Sequence, residues 1–111
     1  MFEKNLQIGY LLDFYGELLT DRKHSVMEMY YNEDLSLAEI ASEIGISRQG
    51  VRDIIKKCED ELFFYEEKLG LASKLLTVEA TADSLCLLAE QQSLSPELRE
   101  EILHLAEIVK A

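Results

Sequence analysis

The sequence predicts an all-α fold: three short helices, a long helix, then two further helices at the C-terminal end. Three observations predict it. Apolar residues recur at steps of three and four almost throughout, and no segment alternates with period two for long enough to read as a strand. Helix-start residues (Thr20, Ser36, Ser47 and Ser95) stand at the head of successive apolar stripes. A composition of 48% apolar and 30% charged residues, with one Pro and five Gly in 111 residues, is that of a folded chain.

Leu6, Tyr10, Phe14 and Leu18 follow steps of four, and Leu11, Leu12 and Tyr15 widen their stripe, which predicts a first helix over residues 3–18. Gly9 and Gly16 weaken that helix, so it depends on tertiary packing. Thr20 caps the next helix, with Asp21 near its positive end and Val26, Met27, Tyr30 and Tyr31 on its apolar face; Asn32-Glu33-Asp34 ends it. Ser36-Leu37-Ala38-Glu39 is a capping box, because the serine hydroxyl takes one free N–H and the glutamate reaches back to the serine's own N–H. Leu37, Ile40, Ala41 and Ile44 form a short stripe that stops at Gly45. Ser47 then caps a helix whose Val51, Ile54 and Ile55 face inward.

From Ile55 a seam of Cys58, Leu62, Tyr65, Leu69, Ala72 and Leu76 alternates steps of three and four, the heptad signature. It predicts one long helix over residues 48–76, bent near Cys58 or Gly70, and a homodimer through Leu62, Tyr65, Leu69 and Leu76. The alternative packs the same seam against residues 78–109 of its own chain. Tyr30, Tyr31, Phe63, Phe64 and Tyr65 are assigned to packing or to that dimer seam. Val78, Ala82, Leu85 and Ala89 mark a further helix. Ser95-Pro96-Glu97 opens the last one, with Leu98, Ile102, Leu105 and Val109 as its stripe. Two regions result: residues 1–58, and an acidic helical extension over residues 59–111.

Charge and cysteine content exclude several classes. Eleven Lys and Arg against 22 Asp and Glu give a net charge of -11, so the chain is not a uniformly basic nucleic-acid coat. Two Cys, at 58 and 86, do not make a disulfide scaffold. No run of 18 apolar residues argues for a membrane span, and Met-Phe-Glu-Lys-Asn lacks the basic flank and apolar stretch of a signal peptide. The expectation is a cytoplasmic protein with reduced thiols and no membrane association. The charge is uneven: residues 1–58 carry seven bases and ten acids, residues 59–111 four bases and twelve acids. Within the first region Arg48, Arg52, Lys56 and Lys57 fall in ten residues opposed only by Asp53. Screening at physiological salt, with a Debye length of about 8 Å, lets such a strip act locally despite the global sign.

Residues 37–56 carry a mechanism. Two short helices crossing steeply need a small residue at their contact, and Ala41 supplies it. The chain must reverse within three or four residues, which favours a positive φ at Gly45. Ile40, Ile44, Ile46, Val51 and Ile54 fill the wedge between the two helices. This is the helix-turn-helix pattern, with residues 47–57 as the recognition helix. Its outward positions, Ser47, Arg48, Gln49, Arg52, Asp53 and Lys56, suit a DNA groove: Arg48 and Arg52 can pair with guanine acceptors, Gln49 with adenine, and Lys56, Lys57 and the helix N-terminus can reach phosphates. Gly50 either allows close approach or lowers helix stability.

These residues also carry a resemblance. Leu18-Leu19-Thr20, Tyr30-Tyr31, Asp34 through Ala41, and Ser47-Arg48-Gln49-Gly50-Val51 resemble the promoter-reading C-terminal domain of bacterial sigma factors. The chain is more similar still to the YlxM-like family of small bacterial helix-turn-helix proteins. There a Leu-Asp-Phe-Tyr segment (here Leu12 to Tyr15) opens the domain, a Ser-Arg-Gln segment opens the recognition helix, and Tyr65 to Leu69 follows in the long helix. The resemblance covers residues 5–76. It departs in Gly50 and Arg52-Asp53, where the family pattern has alanine and a tyrosine-aspartate-like pair. The resemblance implies a regulatory or accessory role beside the GTPase of the signal recognition particle, near which such proteins are encoded, and no catalytic activity.

Catalytic and metal motifs are absent from the sequence. The glycines form neither a dinucleotide nor a Walker loop. Two His and two Cys lie far apart, and Glu101-x-x-His104 lacks the second pair and further glutamates of a di-iron bundle. No enzyme, cofactor or metal is expected. Two functions compete: a DNA-binding regulator using residues 47–57, and an interaction module whose acidic helices hold a basic protein or a component of the signal recognition particle.

Overall fold

The computed structural model describes residues 5–111. Among them are six α-helices and no strand: α1 (Leu6–Tyr15), a 3-10 turn (Gly16–Leu18), α2 (Asp21–Tyr31), α3 (Leu37–Ile44), α4 (Arg48–Leu69), α5 (Leu71–Gln91) and α6 (Pro96–Lys110). The fold is all-α, as the apolar periodicity predicts. The chain divides into two compact units, one through Gly70 and one from Leu71 onward. The division falls after Gly70 and not after residue 58, because α4 runs through Cys58 without interruption.

In the first unit α4 is the central element, packed against α1, α2 and α3. Its Val51, Ile55, Cys58 and Leu62 are fully buried. They share the core with Val26 and Met27 of α2 and Ile40 of α3. The first helix buries the residues that widen its expected stripe, Leu11, Leu12 and Tyr15, joined by Ile8, and not the ends of the four-step row. Ile8, Leu11, Leu12 and Tyr15 point inward, whereas Leu6 is 93% exposed and Leu18 more than half exposed. A stripe of strict four-residue steps winds around a helix of 3.6 residues per turn. The spacing 8, 11, 12, 15 stays on one face. The helical stretch also tightens into the 3-10 turn at Gly16, and positions 3 and 4 of the expected helix lie outside the described residues.

The local signals set the ends of the next helices. Thr20 occupies the N-cap of α2 with an extended backbone, although its side chain makes no capping bond. At α3 the capping box is complete: Glu39 N–H donates to Ser36 Oγ and Ser36 N–H donates to Glu39 Oε1, both at 3.0 Å. These bonds to Ser36 hold the Glu39 carboxyl below the usual carboxylate range. Gly45 ends α3 at φ +77°, and its N–H and that of Ile46 both donate to Ala41 O, at 2.9 and 3.1 Å. A Cβ at Gly45 would meet nothing within 4 Å, so the backbone conformation alone calls for glycine.

Three carboxylates on the second half of α4 tie it to the helices behind. Tyr31 Oη donates to Glu59 Oε2 at 2.5 Å, Lys23 Nζ to Glu61 Oε1 at 2.6 Å, and Tyr15 Oη to Glu66 Oε1 at 2.7 Å. The helix then stops at Leu69, short of the expected residue 76. Gly70 takes φ +62° and its N–H caps the helix on Glu66 O at 2.8 Å. The following apolar residues start α5, so a long helix and a short one become two of nearly equal length.

The second unit is a hairpin in which α5 packs on α6. Ser95 Oγ accepts from Leu98 N–H at 3.2 Å and Pro96 takes the first turn of α6, as the Ser-Pro-Glu signal predicts. Lys110 Nζ lies 2.5 Å from Asp83 Oδ1, which raises the lysine's pKa and joins the end of α6 to the middle of α5. No helix among the described residues is long and apolar enough to cross a membrane.

Candidate nucleic-acid interface

The turn at Gly45–Ser47 separates α3 from α4, so residues 36–57 are two helices and not one rod. Ala41 is buried where the sequence places the contact, with Ile40 and Val51 fully buried and Ile44, Ile46 and Ile54 partly so. The first three turns of α4, about 15 Å of helix, are anchored by that wedge on one side and open on the other.

Ser47, Arg48, Gln49, Arg52, Lys56 and Lys57 are all exposed on this segment. The geometry divides their roles. Ser47 Oγ is occupied as the N-cap, accepting from Gly50 N–H at 3.0 Å. Arg48 and Lys57 have no ion-pair partner among the described residues. Gln49 Nε2 donates to Asp53 Oδ1 at 2.9 Å, so its amide must turn before it can read a base. Lys56 stands 3.6 Å from Asp60, with both side chains about two-thirds exposed. Such a pair is worth roughly 0–1 kcal/mol and opens readily. Gly50 leaves no free space: a Cβ there would lie 3.3 Å from both Ile46 Cδ1 and Ser47 Oγ, so the chain's own wedge and cap fill the gap.

The carboxylates that follow the basic strip matter to its potential. Glu59, Glu61 and Glu66 are the ones engaged by Tyr31, Lys23 and Tyr15, which holds them toward α1 and α2. Asp53 and Asp60 remain on the exposed side. Two aromatic residues, Phe63 and Phe64, are exposed next along α4, so of the two places expected for them, core packing or a dimer seam, the chain's own core is not the one they take; Lys68 Nζ sits 5.8 Å from the Phe64 ring centre. Adjacent residues on a helix lie about 100° apart, which in hindsight argues against one core taking both.

The four residues expected at a dimer seam differ in burial and fall in both units. Leu62 is 0% exposed within its own chain. Tyr65 is part-buried beside Tyr15, with ring centres 6.0 Å apart. Leu69 ends α4 half-exposed, and Leu76 belongs to the second unit. Elsewhere, no group of three or more His, Cys, Asp or Glu side chains comes together as a metal site among the described residues.

The family model for YlxM / p13-like helix-turn-helix proteins matches residues 2–105. A UPF0122 protein of Clostridium kluyveri is 49% identical over 77 residues, 69% of this chain and 69% of its own length. One from Clostridium perfringens is 51% identical over 73 residues, covering 66% and 65%. One from Caldanaerobacter subterraneus subsp. tengcongensis is 59% identical over 64 residues, covering 58% and 55%.

Proposed function

The chain belongs to the family of YlxM / p13-like helix-turn-helix proteins, and from that premise we propose that it is a non-catalytic, cytoplasmic regulatory protein that binds duplex DNA through the first three turns of α4. The observation that supports this reading is the exposed strip of Arg48, Arg52, Lys56 and Lys57 on a helix set off by a glycine turn from the helix that braces it. Phosphates take the lysines and position the rod, and Arg48 and Arg52 reach base edges. The inward engagement of Glu59, Glu61 and Glu66 lowers the repulsion that a net charge of -11 presents to DNA.

Selection from a random duplex pool tests this reading. Enrichment of a common sequence by the wild-type chain, lost with Arg48→Ala and Arg52→Ala, supports it; recovery of no duplex at low salt overturns it. A second reading has its own support in the charge balance, which favours a basic partner. In it the chain is an accessory factor of the signal-recognition-particle GTPase and binds no DNA. Retention of the purified GTPase by the immobilised chain at physiological salt, together with an empty duplex selection, is the outcome this second reading expects.

A further inference from the structure

We infer that the α5–α6 hairpin is half of a four-helix bundle, completed by the same hairpin of a second copy of this chain. In the hairpin the residues buried below a tenth of their surface are alanines, among them Ala82 and Ala89. The larger apolar side chains remain available. Val78, Leu85 and Leu88 of α5 and Leu98, Ile102 and Leu105 of α6 border two grooves, of about 380 and 210 Å³, that share Leu85. Leu88 and Leu105 are each about half exposed.

The lining chemistry selects the occupant. No charged side chain borders either groove; the polar ones are Thr77, Thr81 and Gln92. A phosphate, a lipid headgroup or a basic helix would find no counter-charge in either groove. A second copy presents the same uncharged apolar surface, so the chain's net charge of -11 is kept out of the contact. Area points the same way. Two helices of 21 and 15 residues side by side present a face of roughly 500–600 Å² in plan, and more in accessible area. A stable dimer buries about 800 Å² per partner. Paired hairpins give the layered bundle that one hairpin cannot make alone. This interface replaces the seam expected at Leu62, which the chain's own core encloses. The inference does not depend on DNA binding.

Light scattering and isotope-filtered NMR test it. The wild-type chain is expected at twice 12.7 kDa, and Leu88→Glu/Leu105→Glu at 12.7 kDa with its helical circular dichroism retained. Leu103→Glu, at an exposed position that borders neither groove, is expected to stay dimeric. In mixed labelled and unlabelled wild-type chain, intermolecular contacts are expected at the methyl groups of Leu85, Leu88, Leu98 and Leu105, which decides the matter even if the double variant unfolds. A monomeric wild-type chain, or a dimer whose intermolecular contacts fall on Phe63 and Phe64 instead, overturns the inference.

Discussion

Tyr31 on α2 donates its hydroxyl to Glu59 Oε2 on α4 at 2.5 Å, across 28 residues of sequence. Glu59 is buried, and it lies just past the basic strip. The bond therefore satisfies a carboxylate that the core would otherwise leave without a partner and keeps it on the inner side of α4. Tyr31→Phe strands that carboxylate. The expected loss is about 1–3 kcal/mol in urea unfolding, the range for leaving a buried acceptor unsatisfied. Burial and Glu59 together raise the Tyr31 phenol well above its ordinary 10.0. Its stabilisation is thus complete below pH 10 and fades as pH rises beyond that, while the unfolded chain ionises first. The alkaline loss of stability is expected to be smaller in Tyr31→Phe; an equal loss in both proteins contradicts the assignment.

Gly45 is needed for its backbone. With φ +77° and open space around a would-be Cβ, Gly45→Ala is expected to lose about 1–2 kcal/mol from left-handed strain alone. Asparagine tolerates that conformation better, so Gly45→Asn should lose less. A neutral Gly45→Ala in thermal or urea unfolding shows that the turn relaxes and that the angle between α3 and α4 is not fixed there.

The two thiols are expected to separate in reactivity. Burial, with smaller contributions from the carboxylates of Glu61 and Glu59, pushes the Cys58 thiol up to about 11 against the opposing effect of Lys23. At pH 8 roughly one molecule in a thousand carries the thiolate. Iodoacetamide followed by mass spectrometry should mark the half-buried Cys86 first, and Cys58 only after unfolding. Equal labelling rates in the folded protein contradict the burial of Cys58.

Leu62 distinguishes a core seam from a dimer seam. As a fully buried side chain it should lose about 2–5 kcal/mol on Leu62→Ala, with the association state unchanged. A mass that halves while unfolding barely shifts restores the heptad reading.

What was legible in the sequence was what neighbouring residues decide among themselves. The Ser36–Glu39 box, Gly45 at the turn, Ser47 at the cap and Ser95-Pro96 all act within one turn of helix, so the residue types were enough. The inner face of α1 was legible only in part: Leu11, Leu12 and Tyr15 belong to the expected stripe, but the choice between Ile8 and the four-step row of Leu6 and Leu18 belongs to the partner helices. Gly70 was equally ambiguous. A heptad with a glycine in it reads as a bend, and only the left-handed φ turns it into a stop. At the site, the exposure of the basic residues followed from the positions of Val51 and Ile55. The removal of Glu59, Glu61 and Glu66 toward α1 and α2 depended on contacts 28, 38 and 51 residues away in sequence, which spacing does not report.

The central claim is that the strip at the head of α4 meets DNA, and its most direct measurement is fluorescence anisotropy of a labelled duplex titrated with the chain over a series of salt concentrations. Binding should weaken steeply with salt. Lys57→Ala should make the slope of log affinity against log salt shallower by about 1. Arg48→Ala should lower affinity at fixed salt by about 1–3 kcal/mol, about five- to 150-fold. A duplex whose anisotropy does not change at the lowest salt, or one bound equally well by wild type, Arg48→Ala and Lys57→Ala, contradicts the account.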